Sequence, residues 1–295
     1  MDFSITELII IVAAGSGIGW IAGLFGIGGG FLLVPVMNIV LGIPVEYAVG
    51  ASACQVLGPA TTALLARRVH WRSFHFPLTL AGGLFIGVTA GTLTFQLLEN
   101  LNAITLFDQS VEPAQISVLV IYLLIMVAVG IFSLWETKRS KSGHPVSVGW
   151  LANWNLPPLV RFREFEGERM SLPIVCWFGV GIGFVSGLLG MSGGLILIPG
   201  LVYLLGMKVE KAVLPTLVIV WMISFQATVV HAWNGYVDLK LVSALLVGGT
   251  FGAQLGARTG QQWGGTKLRE RFGWLLLTSS ALIAYKLFRI FTQSV

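Results

Sequence analysis

Apolar residues in this chain run together instead of alternating with polar ones. Four long stretches, Leu8–Leu41, Tyr47–Ala66, Phe76–Leu98 and Ala114–Trp135, fill the first half. Four more, Leu172–Leu205, Ala212–Ala232, Leu241–Ala257 and Phe272–Arg289, fill the second. About 20 apolar residues in a helix cover a hydrocarbon core of roughly 30 Å. A helix also satisfies its own backbone groups there, which an isolated strand cannot do. The pattern predicts an all-α polytopic membrane protein. The first stretch of each set is too long for one crossing, about 50 Å at 1.5 Å per residue, and too short for two. Glycines interrupt both, so each is expected to fold as a re-entrant helical hairpin of shorter pieces, followed by three transmembrane helices.

The two interrupted stretches are copies. GWIAGLFGIGGGFLLVP begins at Gly19 and GFVSGLLGMSGGLILIP at Gly183, with six identities in the twelve positions to Gly30 and Gly194. The match continues through Pro35 with Pro199, Gly42 with Gly206, and VEYAV (Val45–Val49) with VEKAV (Val209–Val213). After a two-residue shift, Gly82–Gly91 falls opposite Gly248–Ala257. Such order-preserving self-similarity marks a duplicated unit. The expected organisation is a first membrane repeat over residues 1–135, a polar, aromatic-rich linker over 136–171, and a second repeat over 172–295.

Loop charge then sets orientation. Arg67, Arg68 and Arg72 place one loop in the cytoplasm, whereas the next carries Glu99, Asp108 and Glu112 without Lys or Arg. Lys138, Arg139, Lys141, Arg161, Arg163 and Arg169 put the linker inside, and Arg258, Lys267, Arg269 and Arg271 mark another inside loop. These anchors agree only if each hairpin enters and leaves on one side. Three crossings per half then invert the second copy and leave both termini periplasmic.

Composition narrows the class without changing the architecture. The chain is 55% hydrophobic and 11% charged, against about 25% charged in soluble domains, so a soluble fold is excluded. The start, MDFSITELIIIVAAG, is acidic where a signal peptide is basic, and it reads as mature. Cys54 and Cys176 both lie in apolar segments, against a disulfide framework or zinc site. The net charge of +5 resides in short loops with no aromatic-interleaved basic surface, which argues against nucleic-acid binding.

Candidate chemistry lies at the glycine turns. Gly26, Gly28, Gly29 and Gly30, and Gly190, Gly193 and Gly194 in the copy, let a backbone turn tightly and approach a ligand without a Cβ in the way. The apolar pieces that follow would point their N-termini inward, and free N–H groups with the helix dipole favour anions. A dipole terminus contributes about 0.3–2 kcal/mol, so directed hydrogen bonds must add to it. Ser192 sits in the second turn, Ser52 and Thr216 near the starts of the next segments, and Gln55 and Gln226 further along. The competing reading for Ser52 and Thr216 is a bond to their own helix. Gly83, Gly87 and Gly91, like Gly248, Gly252 and Gly256, read as close helix packing. GIGGG is not a dinucleotide fingerprint, because the strand, helix and acidic residue of that motif are missing.

The paired GLFGIGGGFLLVP and GLLGMSGGLILIP, with VEYAV/VEKAV and the NGYVD of Asn234–Asp238, resemble the TauE/SafE family of sulfite and organosulfonate exporters. The resemblance covers both halves and implies a carrier in the bacterial inner membrane for sulfite, thiosulfate, or an organosulfonate such as sulfoacetate. The family's glycine loops map onto Gly26–Gly30 and Gly190–Gly194, and its small/hydroxyl pair onto Ala51-Ser52 and Pro215-Thr216. Alanine and proline stand here where a hydroxyl often precedes, and VHWRS (Val69–Ser73) replaces a first-half NGYVD.

The expected partners are the anion and the lipid bilayer, with a homodimer left open, no cofactor, no metal and no catalytic residue. Two alternatives stay open. A passive anion channel would share the site. GMSG (Gly190–Gly193) also looks like the GxSG of rhomboid intramembrane proteases, which would pair Ser192 with His231; against this, Ser192 has Gly28 as its repeat counterpart. The membrane segments carry no buried Asp or Glu pair of the kind pumps use, which favours potential-assisted export.

Overall fold

The computed structural model describes residues 3–292 except 26–29, 67–73, 102–103, 107–108, 143–148, 153, 155, 166–168 and 262–264. Ten α-helices are described: α1 (Ile5–Phe25), α2 (Gly30–Ile39), α3 (Val45–Ala66), α4 (His75–Glu99), α5 (Pro113–Lys141), α6 (Leu172–Leu189), α7 (Gly194–Pro199), α8 (Val209–Trp233), α9 (Leu239–Gln261) and α10 (Gly265–Thr292). Two small antiparallel hairpins join helices, β1 (Ile104–Leu106) with β2 (Gln109–Val111) and β3 (Leu159–Arg161) with β4 (Arg169–Ser171), and Met170 of β4 is buried in the core. The second belongs to the linker, whose start α5 overruns to Lys141.

Seven described helices are long and apolar enough to cross a membrane: α1, α3, α4, α5, α6, α8 and α9. The protein is an all-α polytopic membrane protein. The last helix of the second half, α10, is not among the seven; its first turns carry Lys267, Arg269, Glu270 and Arg271, and its last Lys286 and Arg289. The hairpins also have unequal limbs. At 1.5 Å per residue the 21-residue α1 is about 32 Å long and the 10-residue α2 about 15 Å. In the second half α7 continues as a π-helical turn over Gly200–Leu204.

Local chemistry explains several boundaries. Ser4 and Glu7 form a reciprocal capping box at the start of α1, the Glu7 amide donating to Ser4 Oγ and the Ser4 amide to Glu7 Oε2. In the NGYVD segment Gly235 takes the left-handed turn (φ +78°). Asp238 then accepts the amides of Lys240 and Leu241 and so caps α9. That accounts for the glycine and the aspartate of the segment as a turn and a cap.

Two helix pairs approach backbone to backbone through glycine. Along α4, a Cβ added at Gly83, Gly87 or Gly91 would lie 2.1, 2.3 or 2.2 Å from the carbonyl oxygens of Cys176, Val180 and Phe184 on α6. Along α9, Gly248, Gly252 and Gly256 press in the same way on Val12, Ser16 and Trp20 of α1, at 2.2, 2.0 and 2.0 Å. No side chain fits at those distances, which is the physical content of small-residue packing in membranes.

The contacts also give helix directions. The α1–α9 and α4–α6 pairs climb together and are parallel. So are α4 and α8, through Gln226 near Phe85 and Thr89 and His231 near Phe95. Helix α3 runs against α8, since Cys54 faces Thr228 and Thr61 bonds Trp221. Helix α5 runs against α10, with Gly130 on Leu277 and Leu134 on Gly273. On the cytoplasm-facing side of the charge assignment, Glu136 of α5 pairs with Arg269 of α10 while Ser133 Oγ donates to the Arg269 carbonyl at 2.9 Å.

Candidate substrate site at the glycine turns

The apolar core buries the two hairpins. Phe31, Leu33 and Val34 of α2 and Leu188, Leu189 and Met191 of the second turn share one buried cluster with Val49 and Ala51 of α3. This brings Gly30, the first residue of α2, against the second glycine turn. A Cβ at Gly30 would lie 3.4 Å from Met191 Cα and 3.4 Å from the Ser192 amide nitrogen. Gly190 closes α6 in the left-handed conformation (φ +65°), and a Cβ there would meet the Val49 carbonyl at 2.5 Å. Helix α3 therefore forms a shelf on which Gly30 and Gly190 both rest.

Hydroxyls tie the turns to that shelf. Ser52 Oγ donates to the Gly30 carbonyl at 3.2 Å, across helices and not to its own. Tyr122 of α5, fully buried, reaches both turns: its hydroxyl is 3.0 Å from the Leu189 carbonyl and 3.3 Å from that of Gly30. Tyr122 was not among the sequence candidates. The signal was its place inside ISVLVIYLLIMVAVG, because a phenol at the centre of an apolar helix needs a partner.

The remaining candidates divide. Gly26, Gly28 and Gly29 lie outside the described residues. Gly193 has φ +71° and its carbonyl accepts the amides of Ile196 and Leu197, which starts α7 at Gly194. Ser192 is buried. Gln55, one turn beyond Ser52, lies over Gly249, and its Oε1 is buried without a hydrogen-bond partner. Thr216 is likewise buried with an unpartnered hydroxyl. Gln226 instead donates across to α4, to the Phe85 carbonyl at 2.8 Å and Thr89 Oγ1 at 3.1 Å. It joins helices there and makes no bond to the described residues of the turns. His231 is fully buried, and neither ring nitrogen has a hydrogen-bond partner among the described residues, Ser192 included.

No Lys or Arg is among the buried residues described. Any anion at this centre would be met by backbone groups and hydroxyls. Cys54 and Cys176 are both free thiols.

Seven candidate spanning helices around a buried polar centre define a polytopic membrane protein. The chain belongs to the sulfite exporter TauE/SafE family, whose family model matches residues 10–283. Its relatives carry the same general description. A probable membrane transporter protein of Bacillus subtilis (strain 168), YjnA, is 26% identical over 91% of this chain and 96% of its own. A probable membrane transporter protein of Xylella fastidiosa (strain 9a5c) is 25% identical over 96% and 97% of the two chains. Another, from Methanocaldococcus jannaschii, is 23% identical over 86% of each. No solved structure matches the chain significantly.

Proposed function

We propose that this protein carries a small sulfur-containing anion, namely sulfite, thiosulfate or an organosulfonate such as sulfoacetate, across a bacterial inner membrane. The observation that carries the reading is the meeting of Gly30 with Met191 and Ser192 on the Ser52–Tyr122 framework. A sulfonate stays anionic and offers three acceptor oxygens, which suit clustered N–H and O–H donors. The helix start at Gly30 adds a favourable dipole. In this reading Gly26, Gly28, Gly29, Gly190, Gly193 and Gly194 supply backbone access, while Ser52, Ser192, Gln55 and Thr216 supply side-chain groups. Gln226 acts more remotely, through the α4–α8 contact. The family name supports the substrate class.

We infer further that residues 1–135 and 172–295 are inverted copies joined by the cytoplasmic linker. Gly50 of α3 meets Tyr236, just before α9, and Gly58 meets Leu246 and Thr250, so α3 climbs with α9. Helices α1, α3 and α9 thus run one way and α4, α6 and α8 the other, and exchanging the halves turns one set into the other. Such repeats place a site at their interface, and rocking one against the other exposes it alternately. Outward movement of an anion from a negative-inside cell is favoured by about 2.3 kcal/mol per charge per 100 mV.

The test is counterflow in proteoliposomes, with binding to the purified protein screened against sulfite, thiosulfate, sulfoacetate, sulfate and simple carboxylates. Saturable exchange of one sulfur anion is the expected result. Linear flux without exchange would indicate a channel, and selective binding of carboxylates would overturn the substrate class.

A further inference from the structure

The buried polar groups without partners are not spread evenly. Besides Gln55 and Thr216 they include Ser224, Thr228 and His231, which recur on α8 at intervals of four and three residues, and Ser186 on the facing α6. Residues so spaced share one helix face. The stripe begins at the second glycine turn. A Cβ at Gly193 would lie 2.9 Å from Ser186 Oγ and 3.4 Å from Ile223 of α8. It ends at His231, which faces the backbone of Gly187, the residue next to Ser186. An imidazole holds at least one proton donor and cannot be satisfied by apolar neighbours. Leaving such a group and several hydroxyls unpaired in the interior is costly, which points to a ligand that comes and goes.

Beside His231 lies a tyrosine–carboxylate pair. Phe95 of α4 and Tyr236 pack edge-on or tilted against the ring at centroid distances of 6.3 and 6.1 Å. The Tyr236 hydroxyl donates to the Glu99 carboxylate, and Glu46 of α3 lies within electrostatic reach of the same phenol. Burial and these two carboxylates hold the Tyr236 phenol above the usual tyrosine range, so it stays protonated. The other titratable groups on the facing elements are the Cys54 thiol, set against Thr228, Tyr47 at the start of α3, His75 at the far end of α4, and Asp238, which caps α9. Helix α6 brings only Cys176, at its opposite end, and the remaining titratable groups of α8, Glu210 and Lys211, stand at its start. No cation faces the ring from these elements.

We propose that His231 takes up a proton when the anion binds, so that anion and proton move together. An imidazolium alone in this setting has no counter-charge; an anion at the neighbouring turn provides one. The Glu99–Tyr236 pair is the relay to the aqueous face, and the Ser186–Thr228 stripe joins the ring to the turn. The inference rests on anion binding at the glycine turns, and its test is separable from that reading.

Proton uptake on binding is measured by titration calorimetry of thiosulfate or sulfoacetate, whichever the wild type exchanges, in buffers of different ionisation enthalpy. Neither probe titrates between pH 6 and 8. The wild type should take up about one proton, and its affinity should fall toward tenfold per pH unit as pH rises through the linked ionisation. His231→Gln should bind with no proton uptake and a flat pH profile, and its ratio of pH-gradient-driven flux to exchange flux should collapse. A wild type that binds without proton uptake overturns the proposal, as does a His231→Gln protein with wild-type uptake. Should the Gln variant not fold, His231→Asn takes its place. Failure of either probe to bind at all would instead strike the anion reading.

Discussion

Tyr122→Phe removes one oxygen atom from the centre of the protein and almost no volume. In the wild type that hydroxyl holds the Leu189 carbonyl at 3.0 Å and the Gly30 carbonyl at 3.3 Å. It carries a single proton, so the two carbonyls share it, and the variant loses about one full hydrogen bond. A buried acceptor left without its donor costs about 1–3 kcal/mol. Both carbonyls belong to helix ends and keep a second lone pair, so the lower part of that range, about 1–2 kcal/mol, is expected. The ring still fills its place, so no cavity term adds to this. If the lost bond is what sets the register of the two turns, binding of the transported anion should weaken by roughly 5–30-fold. The assay is calorimetric binding alongside thermal unfolding in detergent. Tyr285→Phe, on the exposed face of α10, serves as the control and should change neither. A Tyr122→Phe protein with unchanged affinity would refute the claim that this hydroxyl sets the site's geometry, whatever its stability.

Other consequences are sharper on the fold. Gly19→Ala should destabilise the protein by several kcal/mol or prevent assembly, because its Cβ would lie 2.3 Å from the Gly249 carbonyl. Gly17→Ala on the same helix meets nothing within 4 Å and should be neutral or slightly stabilising in thermal unfolding. Gly193→Ala forces a side chain into φ +71° at about 1–2 kcal/mol and crowds Ser186 Oγ. It should weaken anion binding more than it lowers the unfolding temperature, as read by calorimetry and thermal unfolding together. Arg269→Met strands the buried Glu136; with the guanidinium 41% exposed, the expected loss is about 1–2 kcal/mol, and Glu136→Gln should restore part of it.

Much of this architecture can be read in the residues because membranes leave few options. Apolar runs located α3, α4, α5, α8 and α9 to within a few residues, apart from the C-terminal end of α5, since charge at Arg67, Glu99 or Arg258 ends an apolar segment abruptly. The run Gly83, Gly87, Gly91 and its copy read correctly as helix packing, because spacing alone decides which face a glycine occupies. Linker structure was less legible: β3 and β4 pair in a segment too short and polar to show alternation. The length of α10 was also obscured, because its charged first turns precede the apolar run from Phe272 and do not share its pattern. At the site, the glycine turns stood out as composition, but their partners did not. Tyr122 is 92 residues from Gly30 and 67 from Leu189, and only the fold brings them together. Gln226 shows the opposite case, a costly amide in an apolar helix whose partners proved to be Phe85 and Thr89.

The central claim is that the anion occupies the junction of the two glycine turns. It is tested most directly by alkylating Ser192→Cys in a background where Cys54 and Cys176 are alanine, with and without the transported anion. The account predicts that the new thiol reacts in the empty protein and that the anion slows the reaction, half-protection falling at the Kd measured by calorimetry. A thiol that reacts at the same rate under saturating anion, in a variant that still transports it, would contradict the account and place the site elsewhere.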